Sequence, residues 1–416
     1  MNLCPFSRRL CIVLGLAVAI LLLSEAIATI RLLLLFPGNA VDFAQHYFLG
    51  WFANHGGSFT DPDWPKKVGV VWQPWAYETV QYLPYQALLL PLMRLLAKLP
   101  LELALVLWLA LALGLWIVAI KLAAHIVPLP AGRIALLLAL WPIIWNLFLL
   151  GNVDIFLGAF TAIALALLAE RREVVGGFLF GIVSAFKQPF VLGVIPWLRR
   201  KPRPVLLGLV LGWVLAGIWA LLGVGVEGIR FIVSNANTYV NSVINLPING
   251  SFWGLWLFLA GKEMSVNFWN AGIQLYRGLF PGLLPVGLMA TLSLASLVGF
   301  GLWRTLKASE PLIEAGFWLT TAPLISLVSW SNYHIYDAMP LLYLLGTLKE
   351  RPQRVRYLFW LIFPFFIPAH AWGEVALLAN PWLLSSFVLS VARLALAGLF
   401  VYSLTQRREN ELGKDI

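Results

Sequence analysis

Apolar residues come in long runs from one end of this chain to the other, and short polar or basic stretches separate them. An α-helix needs roughly 20 apolar residues to cross a hydrocarbon core. On that measure the pattern predicts spans at about Leu10–Leu33, Tyr82–Leu96, Leu101–Ala123, Val174–Leu198, Val205–Val224, Leu283–Trp303, Leu312–Trp330, Ala338–Leu348, Tyr357–Ala371 and Trp382–Leu404. Two shorter runs, about Ile134–Leu149 and Ile155–Ala169, flank Gly151-Asn152-Val153-Asp154 and read as short spans or as a pair that does not fully cross. The predicted fold is all-α: a polytopic membrane protein of about 12 transmembrane helices, forming one integral membrane domain over residues 1–416. A β-barrel would show alternating ten-residue segments, and the sequence has none.

Two polar regions interrupt the pattern. Residues 37–82 form a first outer loop whose Gly, Pro and Trp content predicts short helices lying on the membrane. Residues 226–281 form a second outer region, rich in Asn at 235, 237, 241, 245 and 249, and interfacial from Ser251 to Phe280.

Composition sharpens this picture. Hydrophobic residues make up 61% of the chain and charged residues 12%, against about 25% charged in a soluble domain. The net charge of +10 does not point to nucleic acid, because the basic residues sit in clusters between apolar runs rather than along one stripe. Arg8-Arg9, Arg94/Lys98, Arg199–Arg203, Arg304/Lys307, Lys349–Arg356 and Arg407-Arg408 fit a cytosolic side; Lys121, Arg133 and Arg171-Arg172 break the pattern. The apolar run after Arg8-Arg9 resumes at Leu32–Phe36, which favours an uncleaved anchor over cleavage after Ala28. Cys4 and Cys11 are too close together to staple a fold, and no metal or nucleotide motif is present. No cofactor is expected.

The candidate chemistry gathers at the outer junctions. Asp42, followed by Gln45, His46 and Tyr47, reads either as a general base or as a helix N-cap. His334 stands in a polar cluster with Asn332, Tyr333 and Asp337. Lys187 lies inside an apolar segment, where an ionised side chain is costly and reads as functional, although Pro189 offers it a break through which to snorkel. Asn152 and Asp154 pose the same question more weakly. Arg31, Arg230 and Arg277 are phosphate ligands or interfacial anchors.

The order of these features resembles the GT-C superfamily of membrane glycosyltransferases, and within it the family 87 mannosyltransferases. The matching pieces are Asp42…Tyr47, Tyr82-Leu83-Pro84, Gly151-Asn152, Gly176-Gly177…Gly181…Lys187-Gln188-Pro189, Asn249-Gly250-Ser251…Gly254 and Ser329-Trp330…His334. Where that family usually carries Gly-Gln, this chain has Gly151-Asn152; where it often carries an acidic residue and paired His, this chain has Ser331-Asn332-Tyr333.

The resemblance implies a polyprenyl-phosphate-linked sugar donor, a lipid or glycan acceptor, and surrounding membrane lipids as partners. It implies an active site on the extracytosolic face of the plasma membrane, with Asp42 and His334 catalytic. Tyr47, His46, Lys187, Asn249, Arg230 and Arg277 would bind substrate. A flippase for a lipid-linked sugar and a glycan ligase or polymerase are the competing readings.

Overall fold

The computed structural model describes residues 41–61, 67–68, 86–240, 242–244, 251–260, 275–277, 284–305, 310–326, 331–366 and 390–404. In chain order its helices are Val41–Asn54 (α1), Gln86–Leu96 (α2), Leu101–Ala123 (α3), Ala131–Ala139 (α4), Pro142–Leu150 (α5), Asp154–Ala169 (α6), Glu173–Phe186 (α7), Ile195–Arg200 (α8), Pro202–Val240 (α9), Phe252–Leu259 (α10), Leu284–Thr305 (α11), Pro311–Ile325 (α12), Ala338–Gly346 (α13), Gln353–Phe366 (α14) and Ser390–Leu404 (α15). Gln188–Val194 and Ser331–Asp337 are 3-10 turns. A short antiparallel pair, Ser242–Ile244 (β1) with Leu275–Arg277 (β2), sets Val243 opposite Tyr276. The described residues are thus helical nearly throughout. Among the described residues, three helices (α3, α9 and α11) are long and apolar enough to cross a membrane alone, and α4 with α5, bent by 72°, makes a fourth if taken as one span. The expected twelve crossings do not follow from these lengths.

The helices with outward-facing Leu, Val and Ile, such as Leu103, Val106 and Leu111 on α3 and Leu207, Leu211 and Ile218 on α9, present an apolar surface suited to lipid. Inside them, α6 and α12 are buried on almost every face, as their predominantly apolar sequences require.

Side-chain contacts fix the direction of each pass. Trp108 Nε1 donates to the Gly151 carbonyl and Trp116 Nε1 to the Ile155 carbonyl, each at 2.9 Å, while His125 meets Glu170 at 3.4 Å. Helices α3 and α6 therefore run the same way. Their starts lie at the end of the molecule that holds Asp42, since Phe43 packs on Trp108 with ring centres 5.7 Å apart. Their finishes lie at the opposite end.

That opposite end is basic and is clamped by buried ion pairs. Glu314, with no exposure, takes Arg199 at 2.6 Å and Arg200 at 3.3 Å. Arg351 forks onto Glu310 at 2.6 and 2.9 Å, the two-pronged geometry that makes Arg–carboxylate contacts strong.

Two expected spans are corrected. The first is Val174–Leu198, which is two passes and not one. Pro189 supplies no N–H and disfavours helical backbone before it. Helix α7 accordingly stops at Phe186, Lys187 leaves at φ −136°, ψ 82°, and the 3-10 turn with α8 carries the chain back to Arg199. Helix α9 then runs parallel to α7. A Cβ on Gly177 would stand 2.5 Å from the Val205 carbonyl oxygen, and one on Gly181 2.5 Å from that of Leu209. The reciprocal positions, Gly208 and Gly212, meet the Val174 and Phe178 carbonyls. Two small-xxx-small faces are pressed backbone to backbone, as in close membrane helix pairs.

The second correction concerns Tyr82–Leu96. Its described part, α2, has 11 residues with Pro91 inside, and it lies along α1 and the far half of α9. Trp219 Nε1 donates to the Leu88 carbonyl at 3.0 Å, and Gly223 fits against Pro91. Arg94 and Lys98 are therefore at the Asp42 end. Arg171 and Arg172, which broke the charge pattern, join Arg199 and Arg200 at the other. The expected span Leu10–Leu33 lies outside the described residues, as do 62–66 and 69–82 of the first outer loop and 245–250, 261–274 and 278–281 of the second.

Replacing Gly208 with Leu should lower the thermal midpoint of the purified protein markedly, since overpacking costs about 1–3 kcal/mol where side chains yield and here the neighbour is backbone. Gly217, with nothing within 4 Å of its Cβ position, serves as the matched control: Gly217→Leu should leave the midpoint unchanged. Equal effects of the two substitutions would refute the close contact.

Candidate active site

Helix α1 is held as a unit against the bundle. Phe43, Tyr47, Phe48 and Leu49 are buried, and the Tyr47 hydroxyl donates to the Leu99 carbonyl at 2.7 Å. Gly50 lets the helix approach the Met93 backbone, where a Cβ would come within 2.5 Å. Asp42 lies in the first turn of α1, with His46 one turn on along the same face.

The partner of Asp42 comes from the α5–α6 turn. Gly151, at φ 61°, ends α5 in the left-handed region that favours glycine. Its N–H reaches the Phe148 carbonyl at 3.1 Å and that of Asn152 reaches Leu147 at 3.0 Å, the paired bonds of a Schellman ending. The turn delivers Asn152 to Asp42, and Nδ2 donates to the Asp42 Oδ2 at 2.7 Å. Asn152 Oδ1 in turn accepts the Asp154 backbone N–H at 2.7 Å, an Asx turn opening α6.

Behind this pair sits a second carboxylate. Asp154, 1% exposed, accepts from the Tyr336 hydroxyl at 2.7 Å and faces Lys187 Nζ at 3.8 Å. Lys187 donates to the Tyr333 hydroxyl at 3.0 Å and lies 4.7 Å from that ring's centre. Phe190 stacks on Tyr336 at 3.7 Å and meets Tyr333 edge-on at 5.5 Å. The break at Pro189 that ends α7 is what frees Lys187 to enter this cluster.

The electrostatics follow. Burial pushes the Asp42 carboxyl up to about 6; the Asn152 hydrogen bond pulls it down, Asp154 raises it and Lys187 lowers it. Burial, with Lys187 adding to it, takes His46 down to about 4, so its ring is neutral at pH 7. Asp42 remains partly exposed. A carboxyl near 6, reachable and fixed, suits proton abstraction at neutral pH.

The structure brings Asp42, His46 and Lys187 together and distributes the other expected residues differently. Tyr47 points to Leu99 and anchors α1. The Ser331–Asp337 turn, with its three-residue repeat, sends Tyr333 and Tyr336 toward Lys187 and Asp154. It sends His334, 1% exposed, to Asp337 at 3.4 Å, beside Arg393 of α15. Arg230 is exposed beyond the kink at Gly225 and pairs with Glu227 at 2.8 Å. Arg277 is described in its backbone only, and Asn249 lies outside the described residues. The sequence reading understated Asp154 and passed over Arg393, a lone cation in an apolar run and so itself a signal of a buried polar cluster.

A family model for glycosyltransferase family 87 matches residues 82–329, more than half of the chain. The chain belongs to that family and is a membrane glycosyltransferase. No curated protein and no solved structure matches it. Asn152, Asp154 and Lys187 lie within the matched stretch; Asp42 precedes it, and Tyr333, His334 and Tyr336 follow it.

Removing the charge of Lys187 leaves Asp154 buried without its cation, and breaking a buried pair costs about 3–5 kcal/mol. Lys187→Met should therefore lower the thermal midpoint, and adding Asp154→Asn should restore part of it. A double variant less stable than the single would refute the pairing.

Proposed function

We propose that the protein transfers a hexose, mannose first among the candidates, from a polyprenyl-phosphate donor to a hydroxyl acceptor on the extracytosolic face, with inversion. Asp42 is the general base. It takes the acceptor's proton as the acceptor oxygen attacks C1 of the sugar. The C1–O bond to phosphate breaks, and polyprenyl phosphate leaves with the electron pair. Lys187 supplies positive charge beside the site for the phosphate, and the Tyr333 ring and hydroxyl hold it there. His334 stiffens the turn that carries both tyrosines. The observation that carries this reading is Asp42 itself: a partly exposed carboxylate, raised to about 6, fixed by one amide next to a lysine. Membership of family 87 supports the transferase class.

A carrier that moves a lipid-linked sugar across the membrane is the second reading, favoured by the Lys187–Asp154 pair, since buried charge pairs mark transport paths as well as active sites. The two separate in detergent, where only a transferase moves label from polyprenyl phosphate to an acceptor.

Asp42→Asn should abolish label transfer while leaving the thermal midpoint in place; an active Asp42→Asn protein would sink the assignment. The base must be ionised to act. Transfer by the wild type should therefore fall as pH drops through about 6 and level off above it, as read from initial rates between pH 5 and 8.

A further inference from the structure

The Asn152 side chain has one orientation open to it. Its Oδ1 receives a backbone N–H, that of Asp154, at 2.7 Å. A backbone amide only donates, so the atom facing it must be the acceptor. The NH2 group is thereby turned to Asp42 Oδ2, at 2.7 Å. The main-chain bonds of the Gly151 ending fix where Asn152 starts. Among the described residues the Asp42 carboxyl makes no other hydrogen bond, so its Oδ1 is left without a partner there.

We infer that Asn152 is a positioning residue for the transfer reaction: its backbone-locked amide holds Asp42 by Oδ2 and presents Oδ1 to the acceptor hydroxyl. This rests on the reading of Asp42 as base. The amide acts twice. It fixes the direction of the carboxylate, and as a donor to the charged form it favours that form over the acid. The other charged or titratable groups toward Asp42 are Asp154 of α6 and Lys187 beyond α7, with His46 on its own helix. Arg94 of α2 and Glu102 of α3 lie toward the far part of α1, near Asn54 and Tyr47.

The informative substitution is Asn152→Asp. Aspartate keeps an oxygen for the Asp154 N–H, so the turn into α6 stays, but it replaces the donor facing Asp42 with a second carboxylate. Rates of transfer from polyprenyl-phosphate mannose labelled in the sugar would be measured from pH 5 to 9, with the thermal midpoint of each protein. Asn152→Asp should move the acid limb of kcat upward by about one pH unit or more and reduce kcat at pH 7 about twofold or more. The rate should recover at high pH, with KM for the donor within about twofold of wild type. Asn152→Ala should move the limb in the same direction by less.

An unmoved limb, whether the rate is unchanged or uniformly lower, would overturn the inference, as would loss of transfer at every pH in a protein that melts normally. Asp42→Asn separates the two levels. If that variant transfers label at the wild-type rate, the reading of Asp42 as base fails. If it is inactive and the limb does not move in Asn152→Asp, only the role of Asn152 fails.

Discussion

A carboxylate sealed inside an apolar bundle has to be matched, and Asp154 is the group on which this end of the molecule turns. At 1% exposure it is shielded from bulk water and from lipid headgroups. Its match comes from two places far apart in the chain: the Tyr336 hydroxyl on the turn before α13, and the Lys187 ammonium where α7 breaks. Three elements must therefore meet at one point. Once they do, the backbone of the same aspartate fixes Asn152, and Asn152 fixes Asp42. The partly exposed acid, Asp42, is held through a chain of contacts that begins with a buried one.

The basic end obeys the same rule with different chemistry. There Arg199 and Arg200 close on Glu314, and Arg351 closes on Glu310. Each carboxylate belongs to α12 or its start, so one helix is pinned from two sides at its first turn. At its other end lies the Ser331–Asp337 turn, which joins the Asp154 cluster to the His334, Asp337 and Arg393 cluster. Polar groups thus mark both ends of an otherwise apolar interior.

Much of this was legible in the chain and some was not. The helical class, the apolar faces and the standing of Asp42 and Lys187 as candidates follow from single positions against their surroundings. The pass structure does not, because hydropathy over Val174–Leu198 is continuous through a place where the backbone turns round. Pro189 is the signal, and from the sequence alone it reads as a local break rather than a reversal. Tyr82–Leu96 misled for the converse reason: the 11-residue apolar helix α2, packed on α1 and α9, has the composition of a span without the length to cross alone. His334 and Tyr336 stood in one polar cluster of the sequence, yet only geometry tells which of them faces Asp154. Asn152 could not be paired with Asp42 from sequence, since 110 residues separate them.

The parallel contact between α7 and α9 leaves no room for variation of the ordinary kind. At Gly177, Gly181, Gly208 and Gly212 each chain lies against the main chain of the other, so a methyl group on either has no side chain to push aside. Most interior sites accept drift by trading volume with a neighbour. These four have no neighbour to trade with, and the stretch of chain that returns between the two helices, bearing Lys187 at its head, inherits its place from their immobility.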